Sequence, residues 1–490
     1  MRMTELYPFR LLSRSPGRLL AGLMLPPVLM LAAIPTSLFA AENEGPSTQS
    51  VALTEEALAA EAAAEAAMAE SGSGRTLEDF FISAMEYSPR IQIAEARRDI
   101  GTARKRQATG QLLPQVSASA NVSENRQESL NRVRQYRGER YALQLRQVLF
   151  DWQAFARRRS TSMEEEQYEA EYFAELSALL TEVAELYFEV LQAEDALRSI
   201  DSELEATQTQ LQQIERMHGL QMVQITDLYD AQARLAAVEA ERLNLATEAT
   251  LAREALRSVS GLGVGDLYTL GDDAQLPQVD GSLGVWVARA REENHMILAR
   301  EYAVKAAERR VSERRGAYMP RVSLVAQQQQ SNLGFDNELL NGRTDTGYLA
   351  IDVTIPLFAG GSSRAAVSEA LSQESIARNE LRQLHLDVSE RTRLAYLRLQ
   401  STEQQIAAAE KLLEARRIAS RARQRGFELG TVTSVDVLDA VRDEFLAERD
   451  LQAIRYEHIK MGLYLRRDSG TLTADDLVDI SVSLEAPDED

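Results

Sequence analysis

Residues Tyr348–Gly361 read YLAIDVTIPLFAGG. Leu349, Ile351, Val353, Ile355 and Leu357 fall on one side of an extended chain, and Tyr348, Ala350, Asp352 and Thr354 on the other. That is period two with a fully apolar face. Pro356 and the Gly360–Gly361 pair end the strand. From about Ser362 to Phe427 the chain holds no proline and only Gly426 near its end. This predicts one helix of about 65 residues, or ~100 Å at 1.5 Å per residue. An oily strand feeding so long a helix points to a β part in lipid and an α part in water.

The same plan occurs twice. LEDFFISAMEYSPR at Leu77 aligns with LGVWVARAREENHM at Leu283, and Gly110 and Pro114 match Gly316 and Pro320 at the same spacing of 206. Leu149-Phe150 matches Leu357-Phe358 at 208, Asp227 matches Asp436 at 209, and Ser260-Gly261 matches Ser469-Gly470 at 209. An offset that drifts this little marks a tandem duplication. The halves are read as 75–270 and 283–480, each in the order helix, strand, strand, long helix, helix. The opening helix of the first half is expected over about Leu77–Gln111. In the strand after Pro114, Val116, Ala118, Ala120 and Val122 alternate with Ser117, Ser119 and Asn121. The return strand sets Tyr141, Leu143 and Leu145 against Gln144 and Arg146, and Val322, Leu324 and Ala326 repeat the pattern in the second half. Long polar loops are expected over about 125–138 and 329–346.

The long helix of the first half carries a heptad. Tyr172, Leu176, Leu179, Val183, Leu186, Val190, Ala193, Leu197, Ile200 and Leu204 step by four and three, and Thr207, Leu211 and Ile214 continue it. A period of 3.5 means helices wound side by side over a long distance. A break is expected near His218–Gly219, then a helix from about Thr226 to Val259 that stops at Gly261.

The chain has 490 residues, a formal net charge of −21 and no cysteine. The acidic balance argues against nucleic acid, and the absence of cysteine excludes disulfides, thiolate metal sites and a lipid-modified N-terminal Cys. Arg157–Arg159 and Arg416–Arg417 lie among many Glu and read as solvated helix faces. Residues 1–41 read as a secretory signal, with Arg10, Arg14 and Arg18 ahead of an apolar run from Leu19 to Ile34 and small residues at Ala40–Ala41. An uncleaved anchor is the alternative, against which Pro26–Pro27 argues. Losing residues 1–40 removes four Arg and one Glu and takes the net charge to −24. Residues 42–74, rich in Ala and Glu, read as a disordered extension with transient helix at Ala57–Glu70, and 481–490 as an acidic tail.

No constellation of catalysis is found. His218, His295, His385 and His458 are scattered without metal-ligand spacing, and there is neither G-x-S-x-G nor a P-loop. Gly261-x-Gly263-x-Gly265 follows a helix rather than a strand, so it reads as a C-cap and loop. No catalytic residue, cofactor or metal is expected, and the chain is not read as an enzyme.

Four strands of about 10 residues can cross a bilayer when tilted, yet four cannot close a barrel, and open edges are not tolerated in lipid. The chain must therefore associate; three copies would supply twelve strands, and the pattern alone also allows two. With its duplicated plan, Leu113-Pro114 before a strand, Gln147-Val-Leu-Phe-Asp151, Ile355-Pro-Leu-Phe358-x-Gly-Gly, Ile225-Thr-Asp227 and Leu429-Gly-Thr-x-x-Ser-Val-Asp-Val-Leu-Asp-Ala440, the chain resembles the TolC family of outer-membrane channel proteins over about residues 75–480. The resemblance implies a homotrimer with a shared twelve-stranded β-barrel in the outer membrane of a Gram-negative bacterium and a coiled-coil helical barrel across the periplasm. It also implies a periplasmic adaptor (membrane fusion) protein and an inner-membrane transporter as partners, and export of small molecules or of unfolded proteins.

Asp436 and Asp439 stand three apart near the start of the last helix, so they share one side of it. By spacing alone they are helix-start acids stabilised by the helix dipole. The resemblance implies rings of carboxylates at the narrow periplasmic entrance, a cation-selective constriction. Asp227 and Asp230 are their repeat partners. At positions where the family pattern carries a Tyr and an Arg that tie the entrance shut, this chain has Phe427 and Val432, which offer neither a hydroxyl nor a charge. Closure is then expected to rest on apolar contact of Phe427 and Val432 with Val223 and Ile225. The competing reading, a periplasmic structural coiled-coil or adaptor protein, accounts for the heptad and the signal but not for four apolar-faced strands.

Overall fold

In the computed structural model the described residues are 75–129, 132–271, 276, 281–332, 343–482 and 484–485. The signal, the extension and residues 486–490 lie outside them, as does 333–342 of the second expected loop. The first half runs α1 (Leu77–Tyr87), α2 (Pro89–Gly110), β1 (Gln115–Ser129), β2 (Arg132–Asp151), α3 (Trp152–Gly219), α4 (Ile225–Ser260) and β3 (Thr269–Leu270). The second runs α5 (Leu283–Glu293), α6 (His295–Arg315), a 3₁₀ turn at Gly316–Tyr318, β4 (Arg321–Asn332), β5 (Thr344–Thr354), α7 (Ser362–Glu428), α8 (Ser434–Ser469), α9 (Ala474–Val482) and β6 (Leu484–Glu485). Among the described residues no helix is long and apolar enough to cross a membrane.

The opening helix of each half is two helices. Pro89 has no N–H and disfavours helical backbone at Ser88, which is extended at φ −68°, ψ 118°. In the second half Asn294 does the same without proline: at φ −62°, ψ 120° its side chain accepts from the backbone of Met296 and Ile297, both at 3.1 Å. The single helix expected over Leu77–Gln111 is therefore corrected to α1 and α2. Gly261 caps α4 at φ 72°, where an added Cβ would meet the Tyr87 ring at 2.6 Å.

The four long strands form one antiparallel sheet in the order β1-β2-β4-β5. Val116 faces Leu145 and Ala118 faces Leu143; 206 and 208 residues on, Val322 faces Val353 and Leu324 faces Ile351. The two hairpins thus share one register. The β2–β4 pairing aligns Leu145 with Ala326, so the alternating apolar sets of the four strands, such as Val116, Leu143, Leu324 and Ile351, fall on one face. That face is exposed, Leu349 to 72 % and Val353 to 55 %, whereas Ser323 and Val325 on the opposite face are buried. The apolar side of the sheet is thus its exposed side. Strand pairing continues well past the apolar band, so most of the loop expected over 125–138 is ladder. Backbone pairing needs no apolar side chain, and polar alternation outside the band hid it.

Helix α3 packs against α2, α4, α6 and α8, and α7 packs against α6 and α8. Every heptad position from Tyr172 to Ile214 is buried or half-buried. Ile200 meets Val238 and Leu245 between α3 and α4, and Ile406 and Leu413 meet Ala447 and Leu451 between α7 and α8. The arginine clusters bridge helices at about half exposure: Arg157–Glu313, Arg416–Asp443 and Arg417–Glu448, each at 2.8 Å. Such pairs contribute roughly 0–1 kcal/mol each. The main core gathers Phe80, Tyr187, Phe188 and Tyr456 with Leu477 and Leu484. Since β6 pairs with β3 and buries Leu484, Leu484 and Glu485 belong to the fold and not to a tail, as does α9 through Val482.

Candidate pore entrance

The turns joining α3 to α4 and α7 to α8 are built alike, atom for atom. Gln221 N donates to His218 O at 2.8 Å and Met222 N to Met217 O at 2.9 Å; in the second half Gly430 N donates to Phe427 O and Thr431 N to Gly426 O, both at 2.9 Å. These bonds satisfy the last carbonyls of the long helices. The motif needs one left-handed residue. Gly430 supplies it at φ 74°, and Gln221 is forced into it at φ 58°, the sole non-glycine with positive φ among the described residues.

After each turn an acid closes the start of the next helix. Thr433 N and Oγ1 donate to Asp436 Oδ2 at 3.2 and 2.5 Å, and Asp436 N donates back to Thr433 Oγ1 at 3.3 Å, a reciprocal capping box. Gln224 N donates to Asp227 Oδ2 at 3.2 Å at the matching place. The Thr433 hydroxyl, then its N–H, holds the Asp436 carboxyl below the usual carboxylate range; the nearby Arg423 guanidinium adds to this. Asp436 and Asp439 are both exposed on α8, and Asp230 is exposed on α4, while Asp227 is half-buried. The Asp227 carboxylate accepts the Gln224 backbone N–H.

Phe427 is buried in one cluster with Ile214, Ala231, Val437 and Leu438, with Val432, Val223 and Met217 packed around it. The structure brings Phe427, Val432 and Val223 together, as the sequence led one to expect. Ile225 is corrected: it is 54 % exposed and lies outside this cluster. It is the first residue of α4, whereas its counterpart Ser434 is buried at the start of α8. Asp436 was legible in the sequence as a helix-start acid, whereas Thr433, whose spacing of three from Asp436 is the signal of a capping box, was missed; the strained Gln221 had no signal, since nothing local distinguishes it from its neighbours.

The sequence profile of the family described as "Outer membrane efflux protein" matches residues 82–262 and again 286–466, the two halves of this fold. The chain belongs to that family. It is a family of channel proteins of the outer membrane, and the chain is an outer-membrane protein. Relatives in this outer membrane efflux protein family include the outer membrane protein TolC of Vibrio cholerae, 26 % identical over 84 % of this chain and 94 % of that one. The alkaline protease secretion protein AprF of Pseudomonas aeruginosa is 26 % identical over 82 % of this chain and 85 % of its own length. Among solved structures the fold is that of CusC, with a TM-score of 0.73 at 18 % identity over 81 % of this chain and 92 % of the other; that structure is described in terms of transmembrane channel formation.

Proposed function

We propose that this chain is the outer-membrane exit duct of a tripartite export system, working as a homotrimer with a periplasmic adaptor and an inner-membrane transporter. The observation that carries the reading is the outward apolar face of a four-stranded sheet fed by helices of 68 and 67 residues. One strand quartet cannot close in lipid, and three copies supply the twelve strands of a barrel. At 1.5 Å per residue such helices reach ~100 Å, a tunnel length suited to crossing a periplasm. The relatives named for TolC and for protease secretion support a duct for small molecules or for proteins.

In this reading the α3–α4 and α7–α8 turns form the periplasmic entrance. Asp436 and Asp439 line it and favour cations, with Asp227 and Asp230 as a secondary set. Phe427 and Val432 hold it shut by apolar contact in place of a polar latch. The test is reconstitution of the purified protein in planar bilayers, with its mass measured in detergent. A three-chain particle that conducts, selects for cations and loses that selectivity in the Asp436→Ala, Asp439→Ala variant bears the reading out. A monomer with no conductance sinks it.

A further inference from the structure

Resting on that reading, we propose that the polar face of the sheet is a binding zone for soluble multivalent anions at the outer mouth of the duct, centred on Arg140 and opposite in sign to the acidic entrance. Charge on the hairpins is sorted by strand parity. Glu124, Glu128 and Glu139 share the parity of the apolar residues, since Val122 faces Glu139 and Glu124 faces Arg137. They stand there among cations, and Arg137 pairs with Glu139 at 3.1 Å. Asp345 of β5 has the same parity and accepts from Gln330 at 3.0 Å. Arg140 is exposed and has the opposite parity. From Gln144 outward, the positions of that parity include Arg140, Arg134 and Arg132, and on none of the four strands do they include an acid. The whole chain carries −21, so arginines without acids are not an overflow of a basic composition.

The register adds donors beside the charge. Asn121, Arg140, Ser331 and Thr344 form one row across the four strands. A guanidinium flanked by an amide and two hydroxyls offers the N–H and O–H groups that phosphate-type oxygens accept, the planar fork of Arg taking two at once. Among the described residues Arg140 has no ion-pair partner. The acid of this face is Asp352, which already has Arg146 at 4.0 Å. It lies eight residues along β5 from Thr344, which is ~27 Å at 3.4 Å per residue. The Debye length is about 8 Å at physiological ionic strength, so Asp352 does not neutralise the Arg140 row. Three copies closing one barrel set three such rows around a common axis. Repulsion among their cations is relieved best by an anion carrying several charges. Because the apolar face meets the lipid, the anion reaches this face from solution.

The test is sided block in a planar phosphatidylcholine bilayer, with tripolyphosphate as the probe. Purified protein is added to one chamber. No described helix can cross a membrane, so the helical end stays on the side of addition and the hairpins face the opposite chamber. Tripolyphosphate in that opposite chamber is expected to block the current, less so as salt is raised, and to block far less from the side of addition. Arg140→Gln, with its oligomer intact in detergent, is expected to raise the half-blocking concentration roughly tenfold, through loss of a charge-assisted hydrogen bond. Arg137→Gln, on the same strand but of the other parity, is expected to be blocked like the parent. Equal loss of block in the two variants overturns the site. A conducting oligomer that tripolyphosphate does not block from the hairpin side overturns it too, while leaving the exit duct standing. A monomer with no conductance overturns both.

Discussion

Tyr456 Oη donates to Asp195 Oδ2 at 2.5 Å, across 261 residues of sequence, and so ties α8 of the second half to α3 of the first. Burial, reinforced by the Asp195 charge, pushes the Tyr456 hydroxyl well above its ordinary range, which keeps it a proton donor at every physiological pH. Asp195 also pairs with Arg198 one turn on. Tyr456→Phe is expected to lower stability by about 1.5–3 kcal/mol, the usual contribution of a hydrogen bond to a charged group. Thermal melting of the oligomer on denaturing gels, Tyr456→Phe against the parent, reads this. An unchanged melting point removes the bond from the list of what holds the halves together.

Gln221 and Gly430 occupy one backbone conformation with different side chains. A non-glycine residue there costs roughly 1–2 kcal/mol. Gln221→Gly is therefore expected to stabilise the α3–α4 turn slightly, the gain being reduced by the greater freedom of glycine in the unfolded chain. Gly430→Ala is expected to destabilise its turn by about 1 kcal/mol or more. Hydrogen exchange of the two turns measures both, and slower exchange in Gly430→Ala would contradict the geometry.

The lipid face is defined by register. Lys at Val353 or Leu143 is expected to cost about 2–4 kcal/mol near the bilayer midplane and about 0–1 kcal/mol near its edge. Lys at Gln144 or Asp352, on the opposite face, should be tolerated; the Asp352–Arg146 pair at 4.0 Å is half-exposed and adds little. The yield of assembled oligomer in membranes is the measurement. Equal loss from both sets would refute the assignment of faces.

At the entrance, replacing Asp436 and Asp439 by Ala should reduce cation selectivity and weaken block by multivalent cations. The pH dependence has a defined sign. A carboxyl held below its usual range stays charged above that lowered value, so its share of the selectivity persists through the ordinary carboxylate range and fades only in stronger acid. Thr433→Val removes the hydroxyl that does most to hold the carboxyl down and should move this loss toward less acidic pH. Reversal potentials in bilayers across an acid series test it, and a profile identical in Thr433→Val would argue that Asp436 does not face the ions.

Phe427→Ala should open the resting channel, because it empties the centre of the apolar cluster between the two turns. Asp227→Ala should barely change conductance, since the carboxylate accepts a capping N–H from Gln224 at the start of its own helix. Single-channel recordings of the two variants separate an apolar latch from a polar one. Strong opening by Asp227→Ala with none from Phe427→Ala would restore the polar latch.

What the chain wrote locally was readable in the sequence. The period-two stretch at Tyr348–Thr354, the heptad from Tyr172 to Ile214 and the glycine stop at Gly261 are each set by neighbours a few residues apart, and all three stand in the structure. Strand ends were not readable, because beyond Val122 the ladder runs on through polar residues whose side chains carry no mark of pairing. The break at Ser88–Pro89 was missed, although Pro89 is a local signal for it; its twin at Asn294 depends on a side chain turning back onto its own helix. The entrance divides the same way. The Thr433–Asp436 box is local, whereas the burial of Phe427 against Ile214 exists only once two helix pairs are packed together. The Tyr456–Asp195 bond and the β3–β6 pairing join residues more than 200 positions apart. Contacts of that kind are chosen by close packing of the whole core, which no window of sequence contains.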